Sequence, residues 1–75
     1  MTSFQELVER WMAGETLHGV EYGLNELVEV LAGTHAGERG CVVAPVEFEP
    51  EPVFVVELTT GTDVEVVQSL LRAVG

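Results

Sequence analysis

Two side chains of this 75-residue sequence have the chemistry of a nucleophilic centre. Cys41 is the single cysteine, and His35 lies shortly before it in the chain. A thiolate activated by an imidazole is a recurrent catalytic pair. Cys41, however, lies at a strand-like position where a small apolar side chain is normally buried. The pattern therefore favours a structural cysteine, and we expect no catalytic residue.

A metal site is the second chemistry that these residue types could support. His18, His35 and Cys41 could together offer three ligands. Metal sites that can be read from a sequence place their ligands at short fixed spacings, such as Cys-x-x-Cys or His-Glu-x-x-His, and no such spacing is present. The sequence therefore predicts neither a metal nor a cofactor.

Carboxylates are the most abundant side-chain groups that could take part in catalysis or binding. The densest cluster is Glu47, Glu49, Glu51 and Glu57. Alternation would place the first three on one side of an extended run. Carboxylates in acid-base catalysis are normally buried, and nothing in the neighbouring sequence predicts burial here. We interpret the cluster as a solvated face and as a candidate surface for a basic protein partner.

Composition limits the classes of partner. The chain has 13 acidic residues, three arginines and no lysine, which gives a formal net charge of -10. Such a charge repels nucleic-acid phosphates and anionic membrane surfaces. With 47% hydrophobic residues the chain is not a disordered acidic tail. A chain of this length buries only about 60% of its unfolded surface, so we expect a single domain, and the lone cysteine is typical of a cytoplasmic protein.

The N-terminal segment from Ser3 to Met12 has the pattern of an amphipathic helix. Ser3 and Glu6 form a capping box at its start, and Gly14 supplies a stop signal. The apolar stripe must cover either the rest of the domain or a second chain, so Phe4 and Trp11 are candidate partner-binding residues. The full stripe comprises Phe4, Leu7, Val8, Trp11 and Met12.

The remainder of the chain is predominantly β in pattern. Strands are predicted at 41–48 and 53–59, with a short strand at 64–67. Residues 14–25 are punctuated by glycine and predict a loop. A helix over 20–31 also fits the apolar spacing, and propensity alone allows a C-terminal helix. Two architectures therefore stay open: a small β barrel, or an α+β fold with two helices, a β-hairpin and a C-terminal helix.

Glycine spacing favours the barrel. Residues 28–43 read V-x-V-L-x-G-x-x-x-G-x-x-G-x-V-V, with glycines at Gly33, Gly37 and Gly40. This stretch resembles the KOW motif of ribosomal large-subunit proteins and transcription elongation factors. The resemblance implies an SH3-like barrel with a 3₁₀ turn before its last strand. The predicted organisation is one domain: a helix at 1–13, a connecting loop at 14–25 and the barrel at 26–75.

The loop departs from the KOW pattern in charge. Nucleic-acid-binding members carry basic residues around the glycines, whereas only Arg39 among the corresponding positions is reliably cationic. Direct binding to nucleic acid is therefore not expected. The other corresponding positions are Thr34, His35, Ala36 and Glu38.

The sequence predicts a mainly β, SH3-like small barrel with an N-terminal amphipathic helix. Its expected role is that of a small acidic, noncatalytic binding or regulatory module for a protein partner, in the transcription or translation machinery if the resemblance extends to pathway. Two alternatives remain: an acidic inhibitor or nucleic-acid mimic that occupies a basic surface, and a KOW-type RNA-binding domain. No membrane association is expected, and both a monomer and a homodimer are open.

Overall fold

The computed structural model describes residues 2–74. One helix at the N-terminus is followed by five strands, so the prediction of a mainly β chain with one N-terminal helix is confirmed. A single 3₁₀ turn separates the last two strands. The elements are α1 (Phe4–Met12), β1 (Leu27–Val30), β2 (Arg39–Glu47), β3 (Val53–Leu58), β4 (Asp63–Val67), the 3₁₀ turn (Gln68–Leu70) and β5 (Leu71–Ala73).

Helix α1 begins and ends where its sequence signals lie. The Ser3 side chain caps the helix by accepting a hydrogen bond from the Glu6 backbone N–H at 3.2 Å. Trp11 is only 2% exposed, and its ring stacks on that of Phe54 with 6.2 Å between centroids. The Trp11 indole N–H donates to the Tyr22 carbonyl at 2.8 Å. The helix is therefore attached to the sheet through a buried, hydrogen-bonded tryptophan.

The five strands form one antiparallel sheet in the order β4-β3-β2-β1-β5. Strand β2 is the longest and pairs with both β1 and β3, with register shifts between Val42 and Ala44 and between Pro45 and Glu47. Such bulges bend a strand and increase its twist. The described strands leave β4 and β5 as edges, so the sheet is open, and the closed barrel expected from the sequence is not seen.

The core lies on one face of this sheet. Alternation along each strand puts one set of side chains on this inner face and the other on the opposite, outer face. Helix α1 and the connecting segment contribute to the core through Trp11 and Leu17. The fully or nearly buried strand residues are Val28, Val30, Val42, Phe54, Val56, Leu58, Val66 and Leu71.

The alternative architecture with further helices is not adopted. Within 20–31 the chain forms β1, where buried Val28 and Val30 flank Glu29 on the other face. At the C-terminus the helical pattern gives only the 3₁₀ turn before β5. Apolar spacing alone could not distinguish these outcomes, because pairing of β1 with both β2 and β5 is a tertiary effect.

Backbone conformation or close packing explains each of the three glycines in the loop between β1 and β2. Gly37 has φ of 88°, and its N–H donates to the Val30 carbonyl at 2.7 Å to close the loop. Gly40 has a different role: a Cβ at this position would overlap the backbone carbonyl of Glu57 on β3. β2 and β3 can therefore approach closely only with glycine there. Gly33, the third, also has positive φ.

One buried polar side chain fastens the connecting segment to the sheet. The Gln68 amide oxygen accepts from the Glu21 N–H at 2.8 Å, and its amide nitrogen donates to the Gly19 carbonyl at 2.9 Å. The Gln68 backbone N–H donates to the Pro52 carbonyl. Gln68 thus holds three chain segments together at the turn between β4 and β5.

Candidate interaction surface

A row of side chains crosses four strands on the outer face of the sheet. Cα pairing places Leu27 opposite Cys41, Cys41 opposite Glu57, and Glu57 opposite Asp63. Leu27 is 40% exposed, and Glu57 and Asp63 are exposed. Cys41 is half-buried on this face, whereas the sequence predicted a buried position. The difference arises because Cys41 alternates with Val42, and Val42 takes the inner position.

Three carboxylates gather at the β3–β4 end of this row, and we call them the acidic edge: Glu57, Asp63 and Glu65. Glu57 and Asp63 are directly opposed, and Glu65 is opposite Val55 on the same face. Cβ atoms of directly opposed residues lie about 4.5–5.5 Å apart, and like charges so placed repel. The acidic edge is therefore a concentration of negative charge that folding brings together at an energetic cost.

The other end of the outer face is arranged in the opposite way. Glu29 on β1 is flanked in register by Arg39 on β2 and Arg72 on β5. Both guanidinium groups donate to the same Glu29 oxygen, at 3.2 and 3.1 Å. The Arg72 hydrogen bond, followed by that of Arg39, holds the pKa of Glu29 below its ordinary value. We call these three residues the Glu29 cluster.

The remaining arginine is also paired within the molecule. Arg10 at the end of α1 donates to the Glu15 carboxylate at 2.7 Å. This hydrogen bond lowers the pKa of Glu15 and raises that of Arg10. All three arginines of the sequence therefore have carboxylate partners in the described structure, and none of these partners belongs to the acidic edge.

The carboxylates singled out from sequence separate into different environments. Glu51 accepts a hydrogen bond from the Ser69 N–H at 2.7 Å and so caps the 3₁₀ turn. Glu47 and Glu49 are exposed and line a groove of about 280 Å³ that also includes Phe4. Glu57 lies apart from them on the outer face. The predicted single acidic side of 47, 49 and 51 does not form, because β2 ends at Glu47 and the chain then bends.

The two aromatic candidates also differ in accessibility. Phe4 is 47% exposed, and its ring lies 5.5 Å from that of Phe48. Trp11 lies in the core and offers no surface to a partner in this conformation. Helical spacing put both residues on one stripe but gave no information on how far each would insert under the sheet.

The sequence does not predict two members of the acidic edge. Asp63 precedes the strand predicted at 64–67, and Glu65 is one polar position within that strand. The signal that could have found them is the turn at 59–62, because its length fixes which residues of β3 and β4 face one another. Register, rather than spacing along the chain, brings Glu57, Asp63 and Glu65 together.

In the described residues, His35 of the candidate catalytic pair hydrogen-bonds to a carboxylate and not to Cys41. The His35 ring nitrogen Nδ1 lies 2.9 Å from a Glu38 oxygen in the glycine loop, and among residues 2–74 no hydrogen bond joins His35 to Cys41. His18 is exposed beside the connecting segment. Within the same described range, no group of three or more His, Cys, Asp or Glu side chains is arranged to hold a metal ion.

Comparison with protein-family models, with curated proteins and with solved structures finds no match to this chain. In the part of the chain that the structure describes, no helix has the length and apolar character needed to cross a bilayer. Evidence on function therefore comes from the surface itself.

Proposed function

We propose that this protein is a small, noncatalytic binding module whose acidic edge docks on a basic surface of a protein partner. One observation carries the proposal: Glu57, Asp63 and Glu65 lie together and pair with no cation among residues 2–74, while Arg10, Arg39 and Arg72 are held by other carboxylates. Repulsion at the acidic edge is relieved when a partner supplies the missing positive charge.

The part of the outer face next to the acidic edge adds apolar surface that a protein interface requires. Leu27 and Cys41 continue the row beyond Glu57, and Val55 lies between Ala44 and Glu65. An apolar centre beside a charged rim is the usual composition of a protein interface. The charges supply orientation and a fast encounter, and the apolar part supplies contact area.

We further propose that the fold belongs to the SH3-like class. The strand order β4-β3-β2-β1-β5 and the 3₁₀ turn before the last strand support this assignment. The positive φ of Gly33 and Gly37 and the close approach at Gly40 support the KOW-like interpretation of the loop. On this basis the transcription or translation machinery is the favoured setting for the partner.

The loop itself supports a protein partner over RNA. Arg39 is the one arginine beside the glycines, and its guanidinium is hydrogen-bonded to Glu29 at 3.2 Å. A phosphate at this loop would have to compete with that carboxylate and approach a strongly acidic domain. The Arg39–Glu29 hydrogen bond therefore supports the prediction, made from the composition of the loop, that the loop does not bind RNA.

Calorimetric titration with a lysine-rich peptide tests the proposal. The double variant Asp63→Asn with Glu65→Gln removes two charges from the acidic edge, and Glu47→Gln with Glu49→Gln removes the same number elsewhere. We expect the first variant to weaken binding by about tenfold, or about 1.4 kcal/mol, and the second to change it little.

Salt provides the second arm of this experiment. Binding through the acidic edge should weaken as ionic strength rises, because exposed charges are screened over about 10 Å at 0.1 M salt. Equal losses in the two double variants, or binding insensitive to salt, would overturn the proposal. Displacement of bound nucleic acid from a basic partner would identify that partner as a nucleic-acid-binding protein.

A further inference from the structure

The hydrogen bonds of the β3–β4 hairpin determine which backbone groups of β4 are free. The Leu58 N–H donates to the Thr62 carbonyl at 2.8 Å, and the Leu58 carbonyl accepts from Gly61 at 2.8 Å. Leu58 and Thr62 are therefore a hydrogen-bonded pair at the start of the ladder. Such pairs alternate along antiparallel strands, so Val64 and Val66 direct their backbone groups toward β3.

The residues of β4 between these positions direct their backbone groups away from β3. By the same alternation the backbone N–H and C=O groups of Asp63, Glu65 and Val67 point away from β3, and β4 is an edge of the sheet. Among residues 2–74 no other segment hydrogen-bonds to the backbone groups of Asp63 and Glu65 or to the Val67 N–H. The Val67 carbonyl, at the N-cap position, begins the 3₁₀ turn. The free groups form a row of donors and acceptors, of the kind that pairs readily with an added strand.

A groove follows this free edge. It has a volume of about 330 Å³ and lies between β4 and the start of the glycine loop. Residues 64–67 supply the β4 side, and Val30, Leu70 and the segment 32–35 supply the rest. By alternation the Val64 and Val66 side chains lie on the inner face of β4, whereas the Asp63 and Glu65 carboxylates lie on the outer face.

We propose that an extended segment of the partner adds to the edge of β4 as an antiparallel strand, with cationic and small apolar residues in alternation. The inference rests on the proposed function and specifies how the partner binds. The cationic residues lie opposite Asp63 and Glu65 on the outer face. The apolar residues between them enter the groove beside Val64 and Val66, and the backbone of the segment pairs with the free groups of β4.

A second copy of this chain is a poor occupant of the same edge. Antiparallel self-pairing centred on the strand would put Glu65 opposite Glu65 of the other copy. Directly opposed like charges destabilise a strand pair, and edge charges commonly prevent self-association. Charge complementarity therefore selects a basic strand from another protein.

The sharpest test of strand addition removes one backbone N–H of β4 that points away from β3 and leaves every charged side chain unchanged. The Gly40–Cys41 junction permits chemical ligation of two synthetic segments, which allows an N-methyl group on the Glu65 backbone. A genetic counterpart is Val67→Pro: Val67 has φ of -69°, which proline shares, and its N–H points away from β3. Neither change removes a β3–β4 hydrogen bond.

The probe is a heptapeptide of alternating lysine and valine, compared with a peptide of the same composition in which the lysines are contiguous. We expect both backbone variants to weaken binding of the alternating peptide at least tenfold and to affect the contiguous peptide much less. Hydrogen exchange at the Asp63 and Glu65 amides of the unmodified protein should slow when the alternating peptide binds. Unchanged amide shifts outside β4 confirm that each variant keeps the fold.

The remaining outcomes separate this inference from the proposed function. Wild-type affinity in the backbone variants, with weakened binding after Asp63→Asn and Glu65→Gln, would overturn strand addition and leave charge-based docking in place. Binding that neither the backbone changes nor the charge changes affect would overturn both. A homodimer whose β4 amides are already protected in the free protein would also overturn strand addition by a partner.

Discussion

The two ends of the outer face use carboxylates in opposite ways. In the Glu29 cluster one carboxylate lies between two arginines, whereas the acidic edge places three carboxylates together with no cationic partner in the described part of the chain. Both ends lie on the same sheet, and both arise from cross-strand pairing. The comparison shows that placement rather than total charge distinguishes a stabilising carboxylate from one left available to a partner.

The Glu29 cluster and the acidic edge have opposite electrostatic effects on the stability of the fold. Glu29 is stabilised as a carboxylate at neutral pH, so it contributes to the stability of β1 and its neighbours. The acidic edge lowers stability through repulsion between Glu57 and Asp63. A small domain retains such an arrangement at little cost if each exposed pair is weak.

The largest predicted effect comes from a substitution that disrupts the contact between β2 and β3. These strands lie between the Glu29 cluster and the acidic edge. Gly40 pairs with Val28 on β1 and with Leu58 on β3, and Gly40→Ala would force β2 away from the Glu57 carbonyl. We expect a loss of about 3 kcal/mol in the free energy of unfolding, measured by urea titration.

Gly23→Ala is the matched control for that change. A Cβ at Gly23 meets no atom within 4 Å, so its effect should be below about 0.5 kcal/mol. Equal destabilisation by the two substitutions would show that the close approach of β2 and β3 does not determine stability.

A smaller loss is expected from the turn that leads from β4 to β5. Gln68→Ala leaves the Glu21 N–H and the Gly19 carbonyl without their side-chain partner. An intramolecular hydrogen bond contributes about 0.5–1.5 kcal/mol, so we expect the loss of two to cost about 2 kcal/mol by chemical denaturation. Gln5→Ala, an exposed change in α1, should be close to neutral; a comparable loss there would contradict the structural role of Gln68.

The third prediction concerns the Glu29 cluster and its pH dependence. Because the pKa of Glu29 is lowered in the folded state, its contribution is present at neutral pH and is lost as pH falls through that lowered value. Glu29→Gln should therefore reduce the urea midpoint at pH 7, and the gap from the wild type should close in acid. A gap that widened on acidification would contradict the pairing with Arg39 and Arg72.

The smallest predicted effect has the opposite sign. Glu57→Gln removes the like-charge pair with Asp63 and should raise the free energy of unfolding by about 0.5 kcal/mol at low salt. Added salt should reduce the gain, because it screens exposed charges. A double-mutant cycle with Asp63→Asn isolates the repulsion, and a zero coupling energy at low salt would show that the two carboxylates do not interact.

Local signals in the sequence predicted much of the architecture. The Ser3 cap, the alternation in β3 and the spacing from Gly33 to Gly40 each depend on neighbouring residues or on backbone conformation at one position. Such features can be inferred from a single sequence because their physical causes are local.

The acidic edge could not be predicted in the same way. Its members come from two strands, and a shift of one residue in the β3–β4 register would turn Asp63 and Glu65 to the other face. Likewise, Trp11 and Phe4 share one helical stripe, but only packing against Phe54 puts Trp11 in the core. Strand pairing and side-chain packing depend on tertiary structure, so the spacing of residues along the chain does not predict them.

Docking through the acidic edge is tested by amide chemical-shift mapping of the isotope-labelled protein during titration with the alternating lysine–valine peptide at low salt. We expect the largest shift changes at Glu57, Asp63 and Glu65, with little change around Glu29, and their reversal when salt is added. Changes centred instead on Glu47, Glu49 and Phe4 would overturn docking through the acidic edge and place the interaction surface at the groove beside α1.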